Sequence, residues 1–573
     1  MEKRFSKRNW LAGLAAGAVS VLASNRYLYW DRQLSSSTVL LVWLAVLGFA
    51  GALFFAQKER RLQGYALFFG LCFAAAQVCG TRLEETQTLA LNWQEVLLML
   101  VCIAASAPAA GGLFTGLVRL AQRQSRRDAH RMSERKVFWI SAGVLLLCWL
   151  PYLAAFYPGL FTYDVSYQFM QYNNGELNTH HPLLHTLLVG GFYDLGWYLF
   201  GYPVRGILMY ALFQMALLAL VMASAVACLH RCHAPRWTCA LTLVCGAALP
   251  FNTLLSISTT KDTLFAASVL WLTVLAFEAF HSPERVRSKG WNARFLLAIM
   301  CTGLMRNNGF ICIAGAALAG LAALMRKPAL GRRVIALCLC GAVAYTSINW
   351  GLKAATRAAD GPAGEMFSVP AQQLARVYVM TDDEAKEEIK AFLPTAENYA
   401  PSISDHVKNT FKPHEVSMPA FLKLWAEVGL RHPVIYLEAI AETTRGFWHL
   451  DATPAGQYLE TTFHTDEANW LVEDSMWPQL RDTMNRLYSH NEYQDIPLYS
   501  VILPPAFWCW ALVWIMTAGL YLRRKAAVCA GTAVSALYLS TLLGPCVMFR
   551  YIYPVAICVP FLLGALLIPP EEA

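Results

Sequence analysis

The sequence predicts an all-α polytopic membrane protein with roughly 13–14 transmembrane helices and a mostly helical soluble domain. Three observations lead there. Of the 573 residues, 57% are hydrophobic and only 15% charged, with a mean hydropathy of +0.40, whereas a soluble globular chain carries about 25% charged residues. Apolar windows such as 38–56, 204–228 and 526–547 approach the ~20 residues that cross a hydrocarbon core. Short segments rich in Lys and Arg separate these windows in the pattern that a positive-inside bias produces.

The N-terminus, MEKRFSKRNW followed by an apolar stretch, has the composition of a signal peptide but reads as an uncleaved first span, because many more spans follow. Spans are expected near 9–24, 37–56, 64–80, 95–117, 137–157, 204–228, 237–252, 263–281, 294–305, 309–325, 334–350, 501–521, 526–547 and 555–568. With these spans, the basic segments Lys3–Arg8, Lys58–Arg61, Arg119–Lys136, 229–236, Arg285–Arg294, Arg326–Arg333 and Arg523–Lys525 all fall on one side. That side is expected to be the cytoplasm, with both termini inside and the protein in the plasma membrane. The 182–201 stretch breaks the alternation and reads as a partly buried helix at the outer surface.

Four regions follow. Residues 1–136 form a four-span N-terminal extension ending in a basic loop, and 137–350 form a transmembrane core with a long first outer loop at 158–203. Residues 501–573 supply the last helices. The 351–500 segment is too long and polar for a loop between neighbouring spans. It holds 22 Asp/Glu against 12 Lys/Arg and no cysteine, and stretches such as TDDEAKEEIKAFL repeat apolar residues at helical spacing. It is expected to be an exported, mostly helical domain without disulfides.

Several functions are disfavoured. The net charge of +8 is spread over short loops, not gathered on one face, so no nucleic-acid partner is implied. Most of the 16 cysteines sit in apolar windows as small packing residues, and Cys232 with His233 makes a weak zinc motif. There is no Gly-rich phosphate loop, so the chain shows no ATP-driven engine.

The informative residues lie at the outer boundary. In YPGLFTYDVSYQ, residues 157–168, Pro158 and Gly159 end a span and a new helix begins near Thr162 or Tyr163. Asp164 and Gln168 then share a helix face. An acid in a first turn also complements the helix dipole. THHPLLHT brings His180, His181 and His185, and STTKDTLF places Lys261 and Asp262 at the mouth of a span. LMRNNG supplies Arg306 and Asn307, and FRYIYP supplies Arg550 and Tyr551. A single cation at an outer boundary can snorkel to the headgroups. Three of them with an acid and a histidine pair at one level read as a pocket for a phosphate-bearing lipid.

These motifs, with FSVPAQQLARV and SDHVKN in the 351–500 segment, resemble a poorly characterised bacterial group in the GT-C superfamily of membrane glycosyltransferases. The resemblance covers most of 137–573 and leaves the first four spans unassigned. It implies a GT-C-like fold that takes sugar from a polyprenyl-phosphate-linked donor and passes it to a glycan, wall polymer or protein acceptor outside the cytoplasm. Asp164 would accept the acceptor's proton, and Lys261, Arg306 and Arg550 would stabilise the departing lipid phosphate. Tyr163, Gln168, His180, His181, Asp262, Asn307 and Tyr551 would contact substrate.

Asp164 is flanked by Tyr163 and Val165, not by a second acid as in several GT-C enzymes. No cofactor is therefore expected, and a bound divalent metal is not favoured. Trp448, His449 and Asp451 are weaker candidates. A transporter or lipid-linked-glycan flippase remains the alternative from another class. It would place ionisable groups at mid-membrane depth and repeat broken helices in two halves.

Overall fold

The apolar windows become helices close to where hydropathy places them. The structure, a computed structural model, describes residues 7–27, 37–56, 60–125, 132–452, 458–461, 474–496 and 499–568. Among the described residues every regular element is helical, and extended pairing is confined to isolated bridges. Among the described residues, eight helices are long and apolar enough to cross a membrane: Arg60–Thr86, Trp93–Ala121, Glu134–Ala155, Val204–Arg231, Lys261–His281, Asn307–Leu324, Pro328–Thr356 and Phe549–Leu567. By length and composition this is a multi-pass membrane protein. A ninth candidate consists of Arg236–Ala248 and Pro250–Ile257, bent by 54° where Pro250 interrupts the backbone bonding.

The other expected spans coincide with further helices. Lys289–Met305, Pro505–Tyr521 and Lys525–Thr541 have 17 residues each, and Lys7–Tyr27 and Ser37–Phe55 stand where the first two were expected. The last span starts earlier than hydropathy suggested. Phe549–Leu567 takes Arg550 and Tyr551 into its first turn, so the outer segment expected at 549–554 is helical. Residues 182–201 contain the Leu183–Phe200 helix, capped by Gly201 in a left-handed conformation.

Two helices form the centre of the bundle. The apolar windows of Lys261–His281 and Phe549–Leu567 are 89% and 83% buried, against 17% for Pro328–Thr356. The charged residues in their first turns are therefore held by rigid, fully surrounded elements. Thr260 caps the former by accepting from the Asp262 amide.

The 351–500 segment has a separate core built around Ala371, Leu374, Ile389, Phe411, Phe421 and Val428. It is tied to the N-terminal extension by a buried polar contact. Glu438 accepts from the Thr88 hydroxyl at 2.8 Å and the Leu89 amide at 2.9 Å, and it pairs with Arg376 at 3.3 Å.

Short backbone bridges join distant loops at one end of the bundle. Leu160 N donates to Ile257 O at 3.0 Å and Thr259 N donates to Leu160 O at 2.9 Å. Thr179 N donates to Ala359 O at 3.0 Å, and Ser404 N donates to Pro545 O at 2.9 Å. Gly159 makes the first bridge possible. Its φ of +136° is a conformation that L side chains rarely adopt, and a Cβ there would lie 3.1 Å from both Ala211 Cβ and Ile257 O.

Candidate active site

The bridges bring the boundary charges together. Pairing of 160 with 258 sets the first turn of the Tyr163–Asn174 helix beside the first turn of Lys261–His281. Lys261 Nζ then meets Asp164 Oδ2 at 2.5 Å. Arg550, in the first turn of the last helix, reaches the same oxygen at 2.8 Å. Arg306 lies just past the end of Lys289–Met305 and pairs with Asp262 Oδ1 at 2.8 Å, while Arg550 Nε stands 3.9 Å from Asp262 Oδ2. Tyr551 stacks under both guanidinium groups, 4.8 Å from Arg306 and 5.5 Å from Arg550. Three cations against two carboxylates leave this network one net positive charge. Glu460 borders it, accepting from the Tyr163 amide at 3.1 Å.

Electrostatics set the state of each group. Burial pushes the Asp164 carboxyl upward, but the Lys261 ammonium and the Arg550 guanidinium outweigh it and hold the group well below the usual carboxylate range. His181 is lowered to about 2, first by burial and then by the Lys261 ammonium. It is therefore neutral, and its Nδ1 accepts from Lys261 Nζ at 3.2 Å. Burial also lowers His180. A carboxylate so well stabilised is a weak proton acceptor.

These groups line a cavity of about 980 Å³. Of the expected site residues, Tyr163, Asp164, His180, His181, Lys261, Arg306, Asn307, Arg550 and Tyr551 all face it. Asn307 is partly committed, donating from Nδ2 to the carbonyls of Thr179 at 3.2 Å and His180 at 3.1 Å. Tyr163 and Tyr167 form an aromatic rim with their hydroxyls 3.0 Å apart.

Gln168 and Asp262 do not line the cavity. Gln168 is fully buried and donates to Thr186 Oγ1 at 2.8 Å, with its Oε1 3.1 Å from His185 Nδ1. Asp262 is likewise buried and holds Arg306. Trp448 and His449 lie elsewhere. The Trp448 carbonyl accepts from Gln77, and His449 contacts Thr81 at 3.2 Å.

One wall escaped sequence reasoning. The 351–500 segment contributes Glu365, Asp405 and Lys408 to the cavity, with Lys408 pairing to the two acids at 2.5 and 3.0 Å. The signal was present in SDHVKN, where Asp405 and Lys408 are one turn apart. Among the described residues, no group of three or more His, Cys, Asp or Glu side chains is arranged to hold a metal ion.

Fold and site together define a multi-pass helical membrane protein with an ion-paired cavity at one end of its bundle. Residues 172–568, more than half of the chain, match a family of unknown function, DUF6020, and the chain belongs to that family. The match includes Lys261, Arg306 and Arg550 and begins after Asp164. No curated protein and no solved structure matches the chain.

Proposed function

We propose that this protein is a GT-C-like membrane glycosyltransferase. It transfers a sugar from a polyprenyl-phosphate-linked donor to a glycan, wall polymer or protein acceptor on the extracytoplasmic face of a bacterial plasma membrane. On this reading the fourteen expected spans cross the bilayer, both termini are cytoplasmic, and the 351–500 segment is exported. The carrying observation is that Asp164, Lys261, Arg306 and Arg550, from four separate segments, meet on one wall of a 980 Å³ cavity.

The ion pairs suggest how such a site would work. The donor's phosphate competes with Asp164 for Lys261 and Arg550. Once they turn to phosphate, the Asp164 carboxylate loses its counter-charges and its basicity rises toward the ordinary value. It then takes the proton of an acceptor hydroxyl, whose oxygen attacks the anomeric carbon from the face opposite the phosphate. The bond from carbon to phosphate oxygen breaks, and its electron pair leaves on the lipid phosphate, stabilised by Lys261, Arg306 and Arg550. Tyr163 and Tyr167 offer stacking faces to the sugar.

The test is sugar release or transfer from radiolabelled polyprenyl-phosphate sugars by purified protein, wild type beside Asp164→Asn, with and without EDTA. Turnover by wild type that is indifferent to EDTA and reduced about 100-fold or more in the variant is expected for loss of a general base. No turnover across a broad donor panel, with lipid-linked glycan instead crossing the bilayer of liposomes, would assign the protein to the transporters.

A further inference from the structure

A second cavity, of about 590 Å³, lies between the N-terminal extension and the Pro505–Tyr521 helix. Its walls come from apolar helices, chiefly residues 47–53, 69–77, 102–117 and 507–514. The polar groups along it are engaged with backbone. Trp510 Nε1 donates to Trp448 O at 2.7 Å, and Trp514 Nε1 donates to Ala110 O at 3.2 Å. Gln77 Nε2 donates to Trp448 O at 3.0 Å while its Oε1 accepts from Leu450 N at 3.0 Å. Ser106 Oγ donates to Cys102 O at 2.7 Å. The indoles therefore present carbon to the space, and Phe69 and Phe73 meet Trp510 at 5.7 and 5.2 Å.

Those commitments decide what fills the space. Water would find few partners, and an apolar cavity of about 150 Å³ already stays dry and takes up benzene. This one is several times larger, and left empty it would strip its lining of dispersion contacts. Along the Trp93–Ser125 helix the lining runs from Cys102 to Leu117, about 22 Å at 1.5 Å per residue. A cavity of that length suits a chain better than a compact ring.

We infer that this cavity holds one acyl chain of a bilayer phospholipid, bound as a constituent of the fold and separate from any substrate of the Asp164 site. No residue lines both cavities. The backbone at 446–448 lies between them. The Trp448 carbonyl is bonded to Gln77 and Trp510 of the apolar cavity, and Gly446 packs on Val547, next to Met548 of the charged one. A carrier lipid with its phosphate on Lys261 and Arg550 would share no lining residue with the apolar space. This inference does not rest on the transferase reading and gives the N-terminal extension a role that the charged site does not require.

The test uses the full-length protein reconstituted with a phosphatidylcholine carrying a photoactivatable palmitoyl chain, and the labelled residues are mapped by mass spectrometry. Labels are expected on the cavity wall between 102 and 117 in wild type and in Leu100→Phe, whose parent side chain is 54% exposed on the outer face of the same helix. They should fall several-fold in Ala105→Phe and Ala109→Phe, which fill the space. Should either phenylalanine prevent folding, Ser106→Leu is the milder filler. A second measurement needs no substitution: phospholipid retained after detergent washing should be roughly stoichiometric with protein. Undiminished wall labelling in a folded filled variant would overturn the inference. So would labelling by a photoactivatable prenyl phosphate but not by the palmitoyl probe, or a stripped protein that keeps its thermal stability with no phospholipid bound.

Discussion

Replacing Asp164 by asparagine and Lys261 by methionine, singly and together, measures the interaction on which the proposed chemistry depends. The two charges are 2.5 Å apart, on side chains only 15% and 11% exposed. At an effective dielectric of ~20 the gross attraction is about 7 kcal/mol, and desolvation takes back several kcal/mol per ion. A net interaction of about 2 kcal/mol remains, within the range for neighbours in one charge network. Asp164→Asn alone should cost about 3 kcal/mol, because two cations lose their acid. Arg550 keeps Asp262 at 3.9 Å, which limits the loss. Lys261→Met should cost about 2 kcal/mol, since Arg550 still covers Asp164 at 2.8 Å. The double variant should then cost about 3 kcal/mol, well short of the sum of the single costs. Unfolding by SDS in mixed micelles gives the three values. Additivity to within about 0.5 kcal/mol would refute the ion pair as a source of stability and, with it, the displacement of Lys261 and Arg550 by phosphate.

The pH dependence has a definite sign. Because the Asp164 carboxyl is lowered in the fold, its contribution is complete above the unfolded value of about 3.9 and disappears as pH falls through the lower folded value. Wild type should therefore lose stability more steeply than Asp164→Asn below about pH 4, and parallel acid limbs would contradict this. Gly159→Ala should cost roughly 1–3 kcal/mol through backbone strain and the two 3.1 Å approaches. An unchanged thermal midpoint would mean that the bridge between 160 and 258 relaxes freely. Gln168→Leu should destabilise by about 1–3 kcal/mol by stranding the buried Thr186 and His185 groups. It should leave the donor KM nearly unchanged, and a large KM effect at full stability would return Gln168 to the substrate.

The helices were legible because a hydropathy window depends on neighbouring residues alone. Which boundary charges belong together was partly legible as well, since on the expected topology Lys261, Arg306 and Arg550 each oppose the usual charge bias and Asp164 lies at the same level. The pairing itself was not. Asp164 and Lys261 are 97 residues apart, and they meet because Leu160 bridges to Ser258, a contact of backbone atoms that leaves no side-chain signature. Helical spacing correctly set Gln168 on the face of Asp164, but spacing cannot say that Leu183–Phe200 covers one end of that face with Thr186 and His185. Glu365 and Lys408 were missed for a related reason. In a helical segment rich in charges, the acids that face a cavity have the same local sequence as those that face water.

The order in which the charged network is made bears on how the protein assembles. A growing chain presents Asp164 first, then Lys261 with Asp262, then Arg306. Those four can form two neutral pairs before the C-terminal 267 residues are made. A partly made protein can therefore hold these groups in a greasy interior without a stray charge. Arg550 arrives only with the final helix, where it gives Asp164 its second cation. The network around Asp164 is thus completed last, by the final helix.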